Sequence, residues 1–141
     1  KQYPEFETAW RASSGRPTLD AAVEEFVRAA ELAPFSRTYR LWAAAHLEER
    51  GALALDRAVA GDPRAAVRAV DDFQSSLAQW AVFARDDDPA APTARAMTRF
   101  LEHVRDEAQA LAQGDVDPAR VAELERRREE LDRARWEALG R

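Results

Sequence analysis

Apolar residues recur along most of the chain with a period of about 3.6 residues, which places them on one face of an α-helix. The clearest example begins at Asp62-Pro63, where a capping carboxylate precedes a proline whose missing N–H is not needed in the first helical turn. The aspartate- and proline-rich segment 86–92 ends the pattern. The predicted apolar face comprises Ala66, Val70, Phe73, Leu77, Trp80, Ala81 and Ala84. This stretch is therefore predicted to be one long helix.

Upstream of this helix, two further segments have helical spacing and recognisable ends. Thr18 is suited to cap a helix that Pro34 terminates, and Ser36 is suited to cap the next one. From Arg37 to Ala60 only Gly51 interrupts the pattern, and glycine inside a helix costs about 1 kcal/mol relative to alanine. The pattern therefore predicts a single long helix that tolerates this glycine.

Downstream, Thr93 is a candidate cap for a helix that ends near Gly114. Its predicted face is Met97, Phe100, Leu101, Val104, Ala108 and Leu111. Asp117-Pro118 opens a last helix with a thin apolar face, which Arg127 and Arg128 interrupt; its members are Val121, Leu124, Leu131 and Leu139. We expect this last helix to be the least deeply packed.

The pattern indicates an all-α fold, since no stretch alternates apolar and polar residues as a strand does. A short helix over 4–13 is predicted from Phe6 and Trp10, four residues apart. The short connections favour antiparallel neighbours, so we expect an antiparallel up-and-down bundle of three to four long helices plus this short N-terminal helix. Residues 1–141 are predicted to form a single domain. Because the chain starts at Lys1 rather than Met, it is interpreted as a fragment of a longer protein.

Composition narrows the range of functions. With 46% apolar and 33% charged residues, the chain is too apolar for a disordered protein, and it has no apolar run of membrane-spanning length. The net charge of −5 comes without a basic stripe, which argues against nucleic acid as a partner. The absence of cysteine removes thiolate metal sites and thiol nucleophiles, and no pattern indicates a cofactor.

Two histidines are the principal candidates for metal or acid–base chemistry. His46 with Glu49, and His103 with Asp106 or Glu107, have spacings that place an imidazole and a carboxylate on one helix face, so two such helices could grip a transition ion. In a chain this rich in charge, ion pairing on a solvated face explains the same spacing and is the favoured interpretation. We therefore predict that residues 46–50 form a solvated helix face and that no catalytic residue is present.

Aromatic residues are the candidates for binding. Tyr39 and Trp42 near a helix start could stack on a glycan, and Trp136 with Arg127 and Arg128 could form a partner-facing surface on the last helix. Packing between helices is the alternative explanation for these tryptophans, and it is the favoured one.

Three stretches resemble one known family. They are Ala9-Trp10-Arg11-Ala12-Ser13-Ser14, Leu19-Asp20-Ala21-Ala22-Val23-Glu24-Glu25-Phe26 and Leu55-Asp56-Arg57-Ala58-Val59-Ala60-Gly61-Asp62. These stretches are similar to the helical post-catalytic domain of bacterial hyaluronidase-type, O-GlcNAcase-like β-N-acetylglucosaminidases. The resemblance covers roughly residues 4–115. In that family the catalytic carboxylates belong to a preceding barrel, so no catalytic residue carries over.

The resemblance implies a noncatalytic accessory domain of a glycoside hydrolase, which supports the catalytic barrel or contacts glycan or another protein. Such a chain would be secreted. The alternative is a free-standing cytoplasmic bundle that binds a partner protein through its charged C-terminal helix.

Overall fold

Five helices make up the part of the chain that the computed structural model describes, which is residues 18–114 and 116–140. They are α1 (Leu19–Leu32), α2 (Arg37–Val59), α3 (Pro63–Ala81), α4 (Ala91–Gln113) and α5 (Pro118–Ala138). No strand occurs within these residues, and the helices pack on one another, which confirms the predicted all-α bundle. The helix predicted over 4–13 lies outside the described residues.

Side-chain caps fix four of the five helix starts, as the sequence predicted. In each case a side-chain oxygen accepts a hydrogen bond from a backbone N–H in the first turn, which satisfies a donor that has no partner within the helix. The caps are Thr18, Ser36, Asp62 and Asp117. Local sequence therefore determines where these four helices begin.

The prediction that Thr93 caps α4 is wrong. The helix begins three residues earlier than predicted, at Ala91, and its cap residue Ala90 makes no side-chain capping bond. Instead Oδ1 of Asp88 accepts a hydrogen bond from the N–H of Ala90 at 2.8 Å. Because the fixed φ of Pro92 suits the first helical turn, the helix starts before the proline and Thr93 already lies inside it.

The predicted apolar face of α3 is correct at its centre and extends too far at its end. Phe73 and Trp80 are buried, but α3 ends at Ala81, which is exposed. The next buried residue is Phe83, beyond the helix and only 1% exposed. Phe83 follows Trp80 by three residues, which is a helical interval, but it is buried from the turn after α3 rather than from the helix itself.

Consecutive helices run antiparallel. The start of α2 meets the end of the α3–α4 connection through Arg37 and Asp88, whereas the middle of α2 meets the middle of α3, where Ser76 Oγ donates to the carbonyl of Ala44 at 2.9 Å. Further along α2, Arg50 pairs with Asp72, which comes earlier in α3. This reversed order of contacts is that of an up-and-down arrangement.

The apolar core lies between α2, α3 and α4. It is built from alanine, leucine and aromatic side chains of these three helices together with Phe83. Gly51 in α2 allows a close approach to α3, since a Cβ atom at this position would lie 2.8 Å from Cε1 of Phe73. The glycine is therefore required by packing rather than merely tolerated.

Helix α5 packs mainly on α4, reaches α2 through Arg135 and Glu48, and buries little apolar surface. Only Leu124 and Arg135 of this helix are buried, and Leu131 and Leu139 are partly buried against the core. This confirms the prediction that the last helix packs least deeply.

Candidate functional site

His46 lies between helices rather than on a solvated face. It is 5% exposed, its ring lies 4.7 Å from that of Phe26 in α1, and it stacks on Trp42 at 6.0 Å. Its Nδ1–H donates to the carbonyl of Trp42 at 2.7 Å, since a carbonyl oxygen can only accept. The prediction that residues 46–50 form a solvated face is therefore wrong for His46 and for Leu47, which is 3% exposed, because α1 packs on this part of α2.

Arg50, in the same stretch, joins three helices. Its guanidinium forms two hydrogen bonds with the carboxylate of Asp72 in α3, at 2.9 and 2.7 Å, and a third at 3.2 Å with Asp20 in α1. Asp72 is 3% exposed, so its charge is balanced inside the bundle. These hydrogen bonds raise the pKa of Arg50. The charged residues that suggested chemistry in the sequence thus serve to join helices.

Glu48 and Arg135 form a second ion pair, between α2 and α5, with side chains 21% and 9% exposed. Nη1 of Arg135 lies 2.7 Å from Oε2 of Glu48, and its Nε donates to Asp132 at 2.8 Å. The guanidinium carbon of Arg135 sits 3.7 Å from the centre of the Phe100 ring, a cation–π contact. Burial raises the pKa of Glu48, although the charge of Arg135 and its hydrogen bond oppose this shift.

Glu107 and Arg128 form a third pair, between α4 and α5. The Glu107 side chain is 1% exposed and receives two hydrogen bonds from the guanidinium of Arg128, at 3.0 and 2.7 Å. His103 Nε2–H donates to the carbonyl of Leu124 at 3.0 Å and lies 3.6 Å from Oε1 of Glu107. The hydrogen bonds with Glu107 raise the pKa of Arg128. The candidate metal ligands His103 and Glu107 are therefore engaged in anchoring α5.

The four candidate metal ligands are not brought together. His46 packs against α1, whereas His103 and Glu107 face α5. Glu49 is partly exposed. Within residues 18–114 and 116–140, no group of three or more histidine, aspartate or glutamate side chains is arranged to hold a metal ion.

A small cavity lies where α2, α3, α4 and α5 meet. Its volume is about 100 Å³, and its walls include the rings of Phe73 and Phe100 and the charged groups of Glu48, Arg128 and Arg135. Pockets for drug-sized ligands have volumes of about 300 to 1,000 Å³. The cavity therefore has room for a few water molecules or a very small solute.

Exposed apolar side chains gather at the turn between α1 and α2. Phe35 is 97% exposed, Leu32 is 76% exposed and Tyr39 is 42% exposed. We call these three residues the apolar tip. Tyr39 was a candidate from the sequence, whereas Leu32 and Phe35 were missed; the signal for them was a leucine and a phenylalanine flanking the turn at Pro34.

The apolar tip is held in place by polar contacts around it. Arg37 makes two hydrogen bonds with Asp88, at 2.8 and 3.0 Å, and its guanidinium carbon lies 4.6 Å from the centre of the Phe83 ring. Arg40 Nε donates to the carbonyl of Pro34 at 2.9 Å. The side-chain hydrogen bonds with Arg37, aided by the N–H of Ala90, lower the pKa of Asp88 from 3.8 to about 2.

The remaining candidates for binding occupy different environments. Trp42 is partly buried, with one ring face stacked on His46 and Phe26 nearby, whereas Trp136 is 41% exposed near the end of α5. Arg127 is exposed and pairs with Glu130 of its own helix, and Arg128 is committed to Glu107. Tyr39 is thus exposed whereas Trp42 is partly buried. Arg127 pairs within its own helix, whereas Arg128 pairs with a glutamate of α4.

Comparison with known proteins adds no relative. No family model matches this sequence, and neither the curated proteins nor the solved structures give a significant match. In the part of the chain that the structure describes, every helix is too short or too polar to cross a membrane.

Proposed function

We propose that this bundle is a noncatalytic accessory domain that docks against a neighbouring protein domain through the apolar tip. The observation that carries the proposal is the near-complete exposure of Phe35, beside Leu32 and Tyr39. A cluster of large apolar side chains in water is typical of a binding surface, and a central aromatic residue is the usual anchor of such an interface.

The construction of the tip supports the same proposal. Ser36 caps α2 within the turn, Arg40 bonds back to Pro34, and Arg37 ties the turn to Asp88. A turn restrained in this way loses less conformational freedom on binding than a free loop does. The tip is therefore suited to present Phe35 to a partner surface.

The neighbour that best fits the sequence is the catalytic barrel of a β-N-acetylglucosaminidase-type glycoside hydrolase. This part of the proposal rests on the resemblance of three sequence stretches to the domain that follows such a barrel. The packing of the bundle is compatible with a noncatalytic role, since His46, Glu48, His103 and Glu107 all make contacts that join helices.

The first test is to read the coding sequence upstream of Lys1. A β/α-barrel with paired carboxylates supports the proposal, and a start codon immediately upstream contradicts the accessory-domain role. The second test produces that barrel as a separate protein and measures its affinity for the bundle by calorimetry.

In the binding test, the variant Leu32→Ser/Phe35→Ser is compared with Leu53→Ser, which alters an exposed leucine of α2 away from the tip. We expect the tip variant to bind at least about tenfold more weakly, equivalent to about 1.4 kcal/mol, and the control to bind normally. Equal affinities of the two variants would contradict docking through the tip.

Docking through α5 is the alternative, and the 41% exposure of Trp136 favours it. The surface it offers is smaller than the sequence suggested, since Arg128 is paired within the bundle. In the same binding experiment Trp136→Ser distinguishes the two surfaces. Glycan contact at Tyr39 is tested by titrating chitin oligosaccharides against Tyr39→Ala and the unaltered chain.

A further inference from the structure

The connection between α3 and α4 lies at the same end of the bundle as the apolar tip. Because consecutive helices are antiparallel, α1 and α3 both end there, and α2 and α4 both begin there. Arg37, at the start of α2, makes two hydrogen bonds with Asp88 of the α3–α4 connection. The turn that carries the tip and the α3–α4 connection are therefore joined directly.

Arg40 forms a second link between these two connections. Its Nε donates to the carbonyl of Pro34 at 2.9 Å, and its Nη1 donates to Oε1 of Gln79 at 3.3 Å. Val82 follows Gln79 by three residues and keeps helical backbone angles, φ −64° and ψ −28°, so the two side chains lie on one side of α3. Val82 is 42% exposed. It therefore adds an apolar side chain to the surface beside the tip.

The charges around this surface balance. Residues 29–40 and 78–95, which form this end of the bundle, contain four arginines and four acidic residues. Each aspartate of the run 86–88 lies close to an arginine. The pairs are Asp86 with Arg95 at 2.6 Å, Asp87 with Arg85 at 3.7 Å and Asp88 with Arg37 at 2.8 Å. This end of the bundle therefore has no net charge that would attract a strongly charged partner.

The exposed apolar area is suited to the centre of an interface. An aromatic side chain buries about 150 to 250 Å². A stable interface buries about 800 Å² on each partner, with an apolar centre and a polar rim. The tip and Val82 supply such a centre, with Phe35 as the most exposed member, and the balanced ion pairs around them supply the rim. The complementary surface is therefore apolar at its centre and has little net charge.

We propose that the docking surface consists of the apolar tip together with Val82, and that its partner is a protein surface with an apolar pocket for Phe35 and little net charge. This inference rests on the proposed function and specifies which surface of the neighbouring domain the tip contacts. Because Arg37 and Arg40 tie the two connections together, both present their apolar side chains to the same partner. Burial of apolar area drives the docking, so the affinity depends little on salt.

Substitution of Val82 tests the extent of the surface. The probe is the barrel domain of the binding test above, and its affinity is measured by calorimetry. We expect Val82→Ser to bind about threefold more weakly, because less than half of this small side chain is available for burial. Val67→Ser is the matched control, since Val67 is a 56% exposed valine near the opposite end of α3, and it should bind normally. Val82→Thr, which keeps the shape of valine, replaces Val82→Ser if that variant does not fold.

Salt tests the chemistry of the partner surface. The affinity of the unaltered bundle for the barrel should change by less than about threefold between about 0.1 M and 1 M sodium chloride, although the screening length falls from about 10 to 3 Å. A loss of affinity of about tenfold or more would show that ion pairs hold the partner, and it would overturn the proposed partner chemistry. Sedimentation of the unaltered bundle, but not of Leu32→Ser/Phe35→Ser, with phosphatidylcholine vesicles would assign the surface to a membrane and overturn a protein partner.

The binding results separate this inference from the proposed function. If the unaltered bundle does not bind the barrel, both fail. If Leu32→Ser/Phe35→Ser weakens binding but Val82→Ser binds as well as Val67→Ser, docking through the tip stands and the larger surface is overturned. Weaker binding of Val82→Ser than of Val67→Ser, with little dependence on salt, supports the larger surface and its apolar partner.

Discussion

The interface between α2 and α3 and the interface between α4 and α5 join neighbouring antiparallel helices by different means. The first relies on shape: Gly51 leaves room for the Phe73 ring, and the two helices approach closely around it. The second relies on charge, since Arg128 is bound to a glutamate that is 1% exposed. Apolar contact depends on fit over many atoms, whereas the ionic contact depends on a few well-placed hydrogen bonds.

One bundle thus contains a core defined by apolar packing and an outer helix held largely by ion pairs. Arg50 and Asp72 show that ion pairs also occur beside the α2–α3 contact, but there they flank the apolar core. At α5 the pairs provide much of the contact itself. The two interfaces should therefore respond differently to substitution.

The largest effect is expected from Arg128→Met, which leaves the carboxylate of Glu107 against an apolar side chain. We expect the free energy of unfolding to fall by about 3 kcal/mol. This is the lower end of the range for breaking a buried ion pair, because the side chain of Arg128 is 26% exposed. Urea unfolding followed by circular dichroism measures the change, with Arg127→Met as the matched surface control.

Replacement of both partners tests whether an unpaired charge causes the loss of stability in Arg128→Met. Glu107→Leu/Arg128→Met converts the ionic interface into an apolar one, and such replacements are often neutral. We expect the double variant to regain most of the stability lost in Arg128→Met. A double variant as unstable as the single one would show that the cost is not that of an unpaired charge.

A smaller effect is expected from Gly51→Ala at the apolar interface between α2 and α3. Helix propensity alone predicts that alanine stabilises α2 by about 1 kcal/mol. The added Cβ would lie 2.8 Å from the Phe73 ring and 3.2 Å from Cβ of Asp72, so overpacking should instead lower stability by about 1 to 3 kcal/mol. Thermal unfolding shows whether Gly51→Ala raises or lowers the stability. Ala78→Gly, at an exposed site of α3, measures how much the difference in helix propensity between alanine and glycine contributes by itself. A more stable Gly51→Ala would refute close packing here.

The smallest effect is expected at the pair of Arg37, whose side chain is 53% exposed, and Asp88, which belongs to neither interface. The pKa of Asp88 is lowered from 3.8 to about 2, so the unfolded chain takes up a proton before the folded one as pH falls. The stabilisation is therefore complete above about pH 5 and is lost progressively as the pH falls through 2. Urea midpoints of the unaltered chain and Asp88→Asn should differ at pH 5 and converge at pH 2.

For this pH experiment Asp87→Asn is the control, because Asp87 is 80% exposed and its nearest arginine nitrogen, on Arg85, lies 3.7 Å away. The urea midpoints of Asp87→Asn and of the unaltered chain should be nearly equal at every pH. A gap for Asp88→Asn that widens as pH falls would contradict the assignment of the low pKa.

Much of the fold could be predicted because it depends on neighbouring residues. Thr18, Ser36, Asp62 and Asp117 cap helices through hydrogen bonds within three residues, so their effect is visible in the sequence. The exception at Thr93 has a local cause too, since Pro92 suits an earlier turn. The thin apolar face of the last helix likewise predicted its shallow packing.

The candidate site was harder to predict because its residues depend on partners far along the chain. Arg128 was taken as an interruption of an apolar face, yet with Leu124, Leu131 and Arg135 it forms a continuous one. Glu107 lies 21 residues before Arg128, and Glu48 lies 87 residues before Arg135. Spacing within one helix shows which residues share a face, but it does not show what that face will meet.

By itself the sequence determined the all-α class, four helix starts and the main apolar faces, because these follow from backbone hydrogen bonding and helical periodicity. Only the tertiary structure decided that His46 is buried under α1, that Gly51 is needed opposite Phe73 and that Phe35 remains in water. Each of these outcomes depends on which surfaces meet across the bundle. Burial and charge pairing are properties of the contacts between helices, so the sequence of a single helix does not reveal them.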